Sequence, residues 1–189
     1  MTPEDLAAHL AVRIEGAVPT IAYGELTLDV PLSSWVPAAT AAATDPAVAC
    51  DYFDWLGAVD GGQEIAVVTH LYSPALRHHV RIRTRVGPAD AVPSLRAVFR
   101  GADWHERETH EMFGVRFTGG ADPAPLLLPP GFEGSPLRKD FVLASRVATA
   151  WPGLVEPGEA PGERRPTLPP GVPEPGTWPA TADGGEPGD

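Results

Sequence analysis

The segment GADWHERETHEMFGV, residues 101–115, places His105, Glu106, Glu108, His110 and Glu111 within seven positions. Imidazole nitrogens and carboxylate oxygens at that density could ligate zinc or work as a general acid–base pair. A zinc-protease helix needs HExxH, because ligands at i and i+4 share one helical face. Here His105-Glu106 is followed by Arg107-Glu108-Thr109-His110, one residue too long. At about 100° per residue the two histidines diverge by about 140°, so a regular helix cannot bring both to one ion. The reversed order, HxxEH, is absent as well. A carboxylate pair without metal is a chemical option, but nothing nucleophilic or Gly-rich accompanies it.

The same projection gives an architectural reading. Trp104 and Met112 define an apolar side with Glu108 between them, and Arg107 and Glu111 form an i, i+4 pair beside it. Glu106, His110 and Phe113 fall on the opposite side, and His105 borders the apolar one. Asp103 and Glu106 have a loose capping-box spacing. This projection predicts that Glu108 is buried and paired with an Arg or Lys, since a carboxylate on a packed face needs a partner. The plainer alternative is a solvent-facing Glu108 beside two incidental apolar residues.

These side chains need a scaffold. Thr2-Pro3-Glu4-Asp5 reads as a helix start, with Leu6, Leu10 and Ile14 as its apolar stripe and Gly16 as its end. Leu26, Leu28 and Val30 alternate with Thr27 and Asp29 as a half-buried strand. Ser33 or Ser34 opens a weaker helix through the alanine-rich residues 38–49. Residues 64–72 are apolar on both alternations, which predicts a central strand. In 79–86, Val80, Ile82, Thr84 and Val86 alternate with Arg81, Arg83 and Arg85, and the intervening SPALR suits a hairpin. The arginine stripe is either a solvated sheet face or a match for an acidic partner. Pro93 to Phe99 reads as the start of a helical segment, and the quoted stretch as a helix ending at Gly114. The expected fold is α+β: one small domain, residues 1–150, with an antiparallel or mixed sheet and helices on one face.

Composition narrows the function. The chain has 189 residues, 25 acidic against 14 basic, and a formal net charge of -11. That balance disfavours nucleic acid as a partner. Cys50 is the sole cysteine, which leaves no disulfide framework, iron–sulfur ligand set or Cys-based zinc site. The N-terminus is mixed and acidic rather than a signal peptide, and no stretch approaches the roughly 20 apolar residues of a membrane span. Residues 151–189 hold ten prolines and eight glycines, so this segment reads as an extended or disordered tail rather than a second domain.

Two blocks then resemble one family. Trp104 to Val115 is similar to the signature of the C subunit of NADH-quinone oxidoreductase, respiratory complex I, which runs Glu-Arg-Glu, two residues, an acid, an apolar residue, an aromatic and Gly. Glu106, Arg107, Glu108, Glu111, Phe113 and Gly114 carry the match. The second block, Gly131 to Phe141, resembles that family's aromatic-EG-x-PLRKD run through Glu133, Gly134, Pro136, Leu137, Arg138, Lys139 and Asp140. Upstream, DYFDWLGAVDG and VVTHLYS look like the family's sheet region, and the tail composition is similar to that of actinobacterial versions.

The resemblance implies a non-catalytic subunit of the peripheral arm that carries no cofactor itself. NADH, FMN, iron–sulfur clusters and quinone would belong to other subunits. It implies packing against the large quinone-site subunit, and a place at the cytoplasmic face of the cell membrane held only through partner subunits. The cluster's charges would then fasten the helix to the neighbouring chain or to Arg138 and Lys139. Equivalent subunits of membrane-bound nickel–iron hydrogenases or deazaflavin-dependent dehydrogenases are the nearest alternative. A free-standing hydrolase using Glu106, Glu108 and the histidines is the alternative from another class. One departure stands out: where the family usually reads Gly-His-Pro, one residue, Leu and a basic residue, this chain reads Gly119-Gly120-Ala121-Asp122-Pro123-Ala124-Pro125. The histidine and the positive charge are both missing.

Overall fold

The computed structural model describes residues 1–120 and 124–142. One compact unit comprises Met1–Leu128 with Ser135–Phe141, and it carries every element described below. The tail expectations for residues 151–189 lie outside the described residues.

Helix α1, Pro3–Ala11, starts as its sequence dictates. Thr2 accepts from the Asp5 N–H, Asp5 accepts from the Thr2 N–H, and Pro3 occupies the first turn. Leu6, Leu10 and Ile14 are all buried, although Ile14 lies beyond the helix in the turn that Gly16 closes. Gly16 has φ +71°, and a Cβ there would come within 3.0 Å of Pro31 Cγ. β1, Val18–Ala22, had no clear signal, because all five residues are exposed and Pro19 interrupts the pattern. It is an edge strand, where a missing N–H costs least.

β2, Glu25–Asp29, buries Leu26 and Leu28. A short 3-10 turn then leads into α2, Trp35–Thr44. Ser34 occupies the N-cap position of α2 without capping it; its hydroxyl donates to the Glu15 carbonyl at 2.9 Å. The helix stops at Thr44 because Asp45 precedes Pro46 and is held extended, with ψ 119°. Asp45 also ties the first two helices together through His9 at 2.7 Å and Arg13 at 3.3 Å.

β3, Tyr52–Asp60, β4, Ile65–Ser73, and β5, His78–Val86, complete a five-stranded sheet of order β1-β2-β5-β4-β3. Only the β2–β5 pairing is parallel, so the sheet is mixed. The fold is therefore the α+β class that the periodicities predict. The arginines of β5 face outward and are matched within the chain. Arg81 meets Glu25 at 2.7 Å, Arg83 meets both oxygens of Asp29 at 2.6 and 2.7 Å, and Arg85 lies 3.6 Å from Glu64. Cross-strand pairing within the chain thus engages all three arginines of this stripe.

The helical expectation for Pro93–Phe99 fails. β6, Ala91–Pro93, pairs in parallel with β7, Arg116–Thr118, and a single turn follows at Leu95–Phe99. The Ser94 N–H goes to the Thr118 carbonyl and the Leu95 N–H to a side chain of the next helix, so this backbone has long-range partners.

Replacing Gly16 by Ala should cost about 1–2 kcal/mol, since a Cβ in the left-handed region is strained. A fall in the urea midpoint at unchanged slope is the expected result. An unchanged midpoint would show that the turn tolerates a Cβ.

Candidate functional site

The third helix, α3, spans Ala102–Phe113. Gly101 is its N-cap with no side-chain cap bond, so the proposed Asp103–Glu106 capping box does not form; Asp103 instead lies 3.7 Å from Arg96. Gly114 ends the helix at φ 73° with its N–H on the His110 carbonyl, the usual left-handed C-cap.

The helix is turned the opposite way from the projection. Its buried positions are Ala102, Glu106 and Thr109, with Phe113 packed partly against the core. Glu106 is 4 % exposed, whereas Trp104 is 61 % exposed and Glu108 lies on the surface. The expectation of a buried, paired Glu108 is therefore overturned. Three contacts set the rotation. Glu106 accepts from the Leu95 N–H at 2.7 Å and from the Ser94 hydroxyl at 2.6 Å. His105 Nδ1 lies 3.2 Å from the Leu56 carbonyl oxygen and 3.4 Å from the Leu56 nitrogen on β3. Its ring also packs edge-on to Phe53, which sits against Phe99. Apolar periodicity cannot see a carboxylate whose donors lie 11 and 12 residues upstream.

Burial pushes the Glu106 carboxyl above its ordinary value, against the opposing bonds from Ser94 and Leu95. Glu111 goes the other way. Desolvation would raise it, but backbone N–H groups at Leu126, Leu127 and Leu128 together hold it below the usual range. It accepts from Leu126 at 2.6 Å and Leu127 at 2.8 Å. Beside it, Arg107 donates to the Ala124 carbonyl at 3.0 Å and the Pro125 carbonyl at 3.2 Å. The Arg107–Glu111 pair thus clamps one loop of its own chain.

The second block closes against the helix by other means. The Leu137 N–H donates to the Met112 carbonyl at 3.0 Å. A Cβ on Gly114 would lie 3.1 Å from Ser135 Oγ, so glycine there permits the close approach as well as the turn. Arg138 and Lys139 do not receive the helix charges. Asp60, at the end of β3, accepts from the Lys139 N–H at 2.9 Å and lies 3.3 Å from Arg138 Nε. Bonds from the Lys139 and Gly62 N–H groups depress the Asp60 carboxyl. Arg138 also reaches the exposed Asp140 at 3.4 Å, and Pro136 is half-buried. Glu133 and Gly134 belong to the second unit, where both are exposed and Gly134 has φ +88°.

The residues of the hydrolase alternative do not converge. Glu106 faces the Ser94–Leu95 turn, Glu108 faces outward, His105 meets β3 and His110 meets the Val115 carbonyl at 2.9 Å. Among the described residues no group of three or more His, Cys, Asp or Glu could hold a metal ion. Burial pushes the Cys50 thiol up to about 12, the character of an unreactive core thiol. No described helix is long and apolar enough to cross a membrane.

Fold and site thus define an α+β scaffold domain whose motif charges fasten its own loops. Residues 28–147 match the family described as the respiratory-chain NADH dehydrogenase 30 Kd subunit. The chain is 40% identical over 147 residues to the NADH-quinone oxidoreductase C subunit of Rhodopseudomonas palustris, covering 73% of this chain and 72% of that one. It is 44% identical over 151 residues to the C subunit of Methylobacterium radiotolerans, with 74% and 69% covered. The chain belongs to this family, the C subunits of NADH-quinone oxidoreductase, complex I of the respiratory chain. A solved chain of the membrane-bound sulfane sulfur reductase, an archaeal respiratory membrane complex, has the same fold. It superposes with a TM-score of 0.58 at 23% identity, covering 74% of this chain and 85% of that one. The matched relatives are alphaproteobacterial, so the actinobacterial affinity drawn from the tail finds no support.

Glu106→Ala leaves the Leu95 N–H and the Ser94 hydroxyl without their acceptor and should cost about 1–3 kcal/mol. Glu108→Ala should change the isolated chain by less than about 0.5 kcal/mol. The reverse order in chemical denaturation would favour the rotation with Glu108 inward. Glu106→Gln isolates the ionisation. A carboxyl raised in the folded state makes the wild type lose stability, relative to this variant, as pH rises from the ordinary 4.5 through the raised value. Parallel pH profiles of the melting temperature would contradict the burial argument.

Proposed function

We propose that this chain is a non-catalytic, architectural subunit of the peripheral arm of NADH-quinone oxidoreductase. It holds no cofactor of its own and packs against the large quinone-site subunit. It sits at the cytoplasmic face of the membrane, attached through its partner subunits. The carrying observation is the inverted α3: its carboxylates Glu106 and Glu111 serve its own backbone, while its aromatic side is open to solvent. Trp104 at 61 %, Leu127 at 58 % and Leu137 at 56 % exposure flank the two motif blocks. Exposed large apolar residues grouped around one feature mark an interaction surface more often than a free one. Residues 151–189 would then extend over a partner, with Trp178 as anchor.

The same motif residues serve two levels in this reading. Glu106, Arg107, Glu111, Phe113 and Gly114 shape the helix and its loop, and Arg138, Lys139 and Asp140 fix the second block to β3. Glu108, Leu137 and the neighbouring Trp104 are left to meet the quinone-site subunit.

The test uses the tagged full-length chain in membranes of cells that lack their own copy. Wild type should co-purify with flavin- and cluster-bearing subunits and restore NADH-quinone activity. Trp104→Ala should weaken retention by about 2 kcal/mol or more, as for a central interface aromatic, and lower activity in proportion to lost complex. Recovery of the wild-type chain alone, or with a nickel-bearing subunit, would defeat the assignment.

A further inference from the structure

Trp104 and Glu108 lie one helical turn apart on the open side of α3, so their side chains are neighbours. We infer that together they form the seat for an arginine side chain of the partner protein. This rests on the docking role proposed above and adds the chemistry of what docks.

Three observations carry it. First, Glu108 is an exposed carboxylate with no hydrogen bond or ion pair among the described residues. Two motif arginines have hydrogen-bond or ion-pair partners other than Glu108: Arg107 bonds the Ala124 and Pro125 carbonyls, and Arg138 pairs with Asp60 and Asp140. Among the described residues, then, this negative charge faces outward with no cation committed to it.

Second, the indole already accepts a guanidinium. Arg107 Cζ lies 5.4 Å from the Trp104 ring centroid, and Trp104 still leaves 61 % of its surface open. An indole beside a carboxylate suits a planar guanidinium, which stacks on the ring while its N–H groups reach the oxygens. Lysine offers a compact, strongly hydrated charge and loses the stacking part of that contact.

Third, the surroundings favour desolvation on docking. Leu137, held beside the helix end by its N–H bond to the Met112 carbonyl, is itself 56 % exposed. Apolar surface beside the same helix adds to what a partner can cover, and covering it removes water from the charge pair. The chain's net charge of -11 also favours encounter with a basic surface.

The experiment titrates purified full-length chain onto solubilised membranes prepared from cells lacking it, at low and at high salt. Glu108→Gln, Glu108→Asp and Trp104→Ala are compared, with circular dichroism of each free chain confirming the fold. Glu108→Gln should weaken binding by about thirtyfold or more and flatten the salt dependence, as expected when one partner of a buried charge pair is neutralised. Glu108→Asp should keep the salt dependence and part of the affinity. If Glu108→Gln binds like wild type while Trp104→Ala weakens, the arginine seat is wrong and the docking face survives. If Glu108→Gln weakens binding but leaves the salt dependence intact, charge pairing is excluded. If neither variant weakens binding, the seat and the docking face both fall.

Discussion

One buried carboxylate sets the geometry of everything around it. Glu106 lies 4 % exposed with no salt bridge among the described residues, accepting from one backbone N–H and one hydroxyl. Leaving such a group without donors would be costly, so α3 can sit only in the rotation that brings Glu106 to the Ser94–Leu95 turn. That rotation sends Trp104 and Glu108 outward and aims Arg107 and Glu111 along the surface towards residues 124–127. The Met112 carbonyl, free because the helix ends within a turn of it, takes the Leu137 N–H and fixes where the second motif block closes.

The result is a helix with its usual amphipathic logic inverted. A surface helix normally buries its large apolar side chains and shows its charges. Here a Glu and a Thr point inward while a Trp faces water. The sheet behaves differently. Its outward arginines are all matched by Glu25, Asp29 and Glu64, so that face has little unpaired charge to offer. The two surfaces therefore differ: cross-strand pairs hold the sheet together, whereas the outer side of α3 keeps Trp104 and Glu108 exposed. Family membership alone does not distinguish these faces; the direction in which each charge is satisfied does.

Much of the scaffold was legible in the residues because its causes are local. The Thr2 cap, the alternation from Val80 to Val86 and the tight link between β4 and β5 each depend on neighbours a few positions away. What escaped depends on distant partners. β1 has no buried residue to give it a period, and β6 with β7 is a three-residue pairing across more than twenty positions. Pro93–Phe99 looked helical because its composition allows it, yet its backbone goes to Thr118 and Glu106. The α3 rotation failed for the same reason. Trp104 and Met112 weigh heavily in a projection of apolar residues, and two donors on another segment weigh nothing. The division of the motif residues into inward and outward is where the projection went wrong.

The departure at 119–125 becomes intelligible on the same grounds. Arg107 and Glu111 hold the loop through the carbonyls of Ala124 and Pro125 and the N–H groups of Leu126 and Leu127. Every residue type supplies a carbonyl, and every type but proline an N–H, so this clamp is indifferent to the side chains it holds. A histidine and a basic residue can therefore be absent without the loop losing its attachment. Pro125 even suits its position, because it is used only as an acceptor and its fixed φ lowers the entropy lost on ordering. Gly120 shows the opposite limit. A Cβ there would lie 3.3 Å from Glu106 Oε2, so any larger side chain presses on the buried carboxylate that sets the helix rotation. The loop is free to drift where only its backbone is read, and constrained where it passes Glu106.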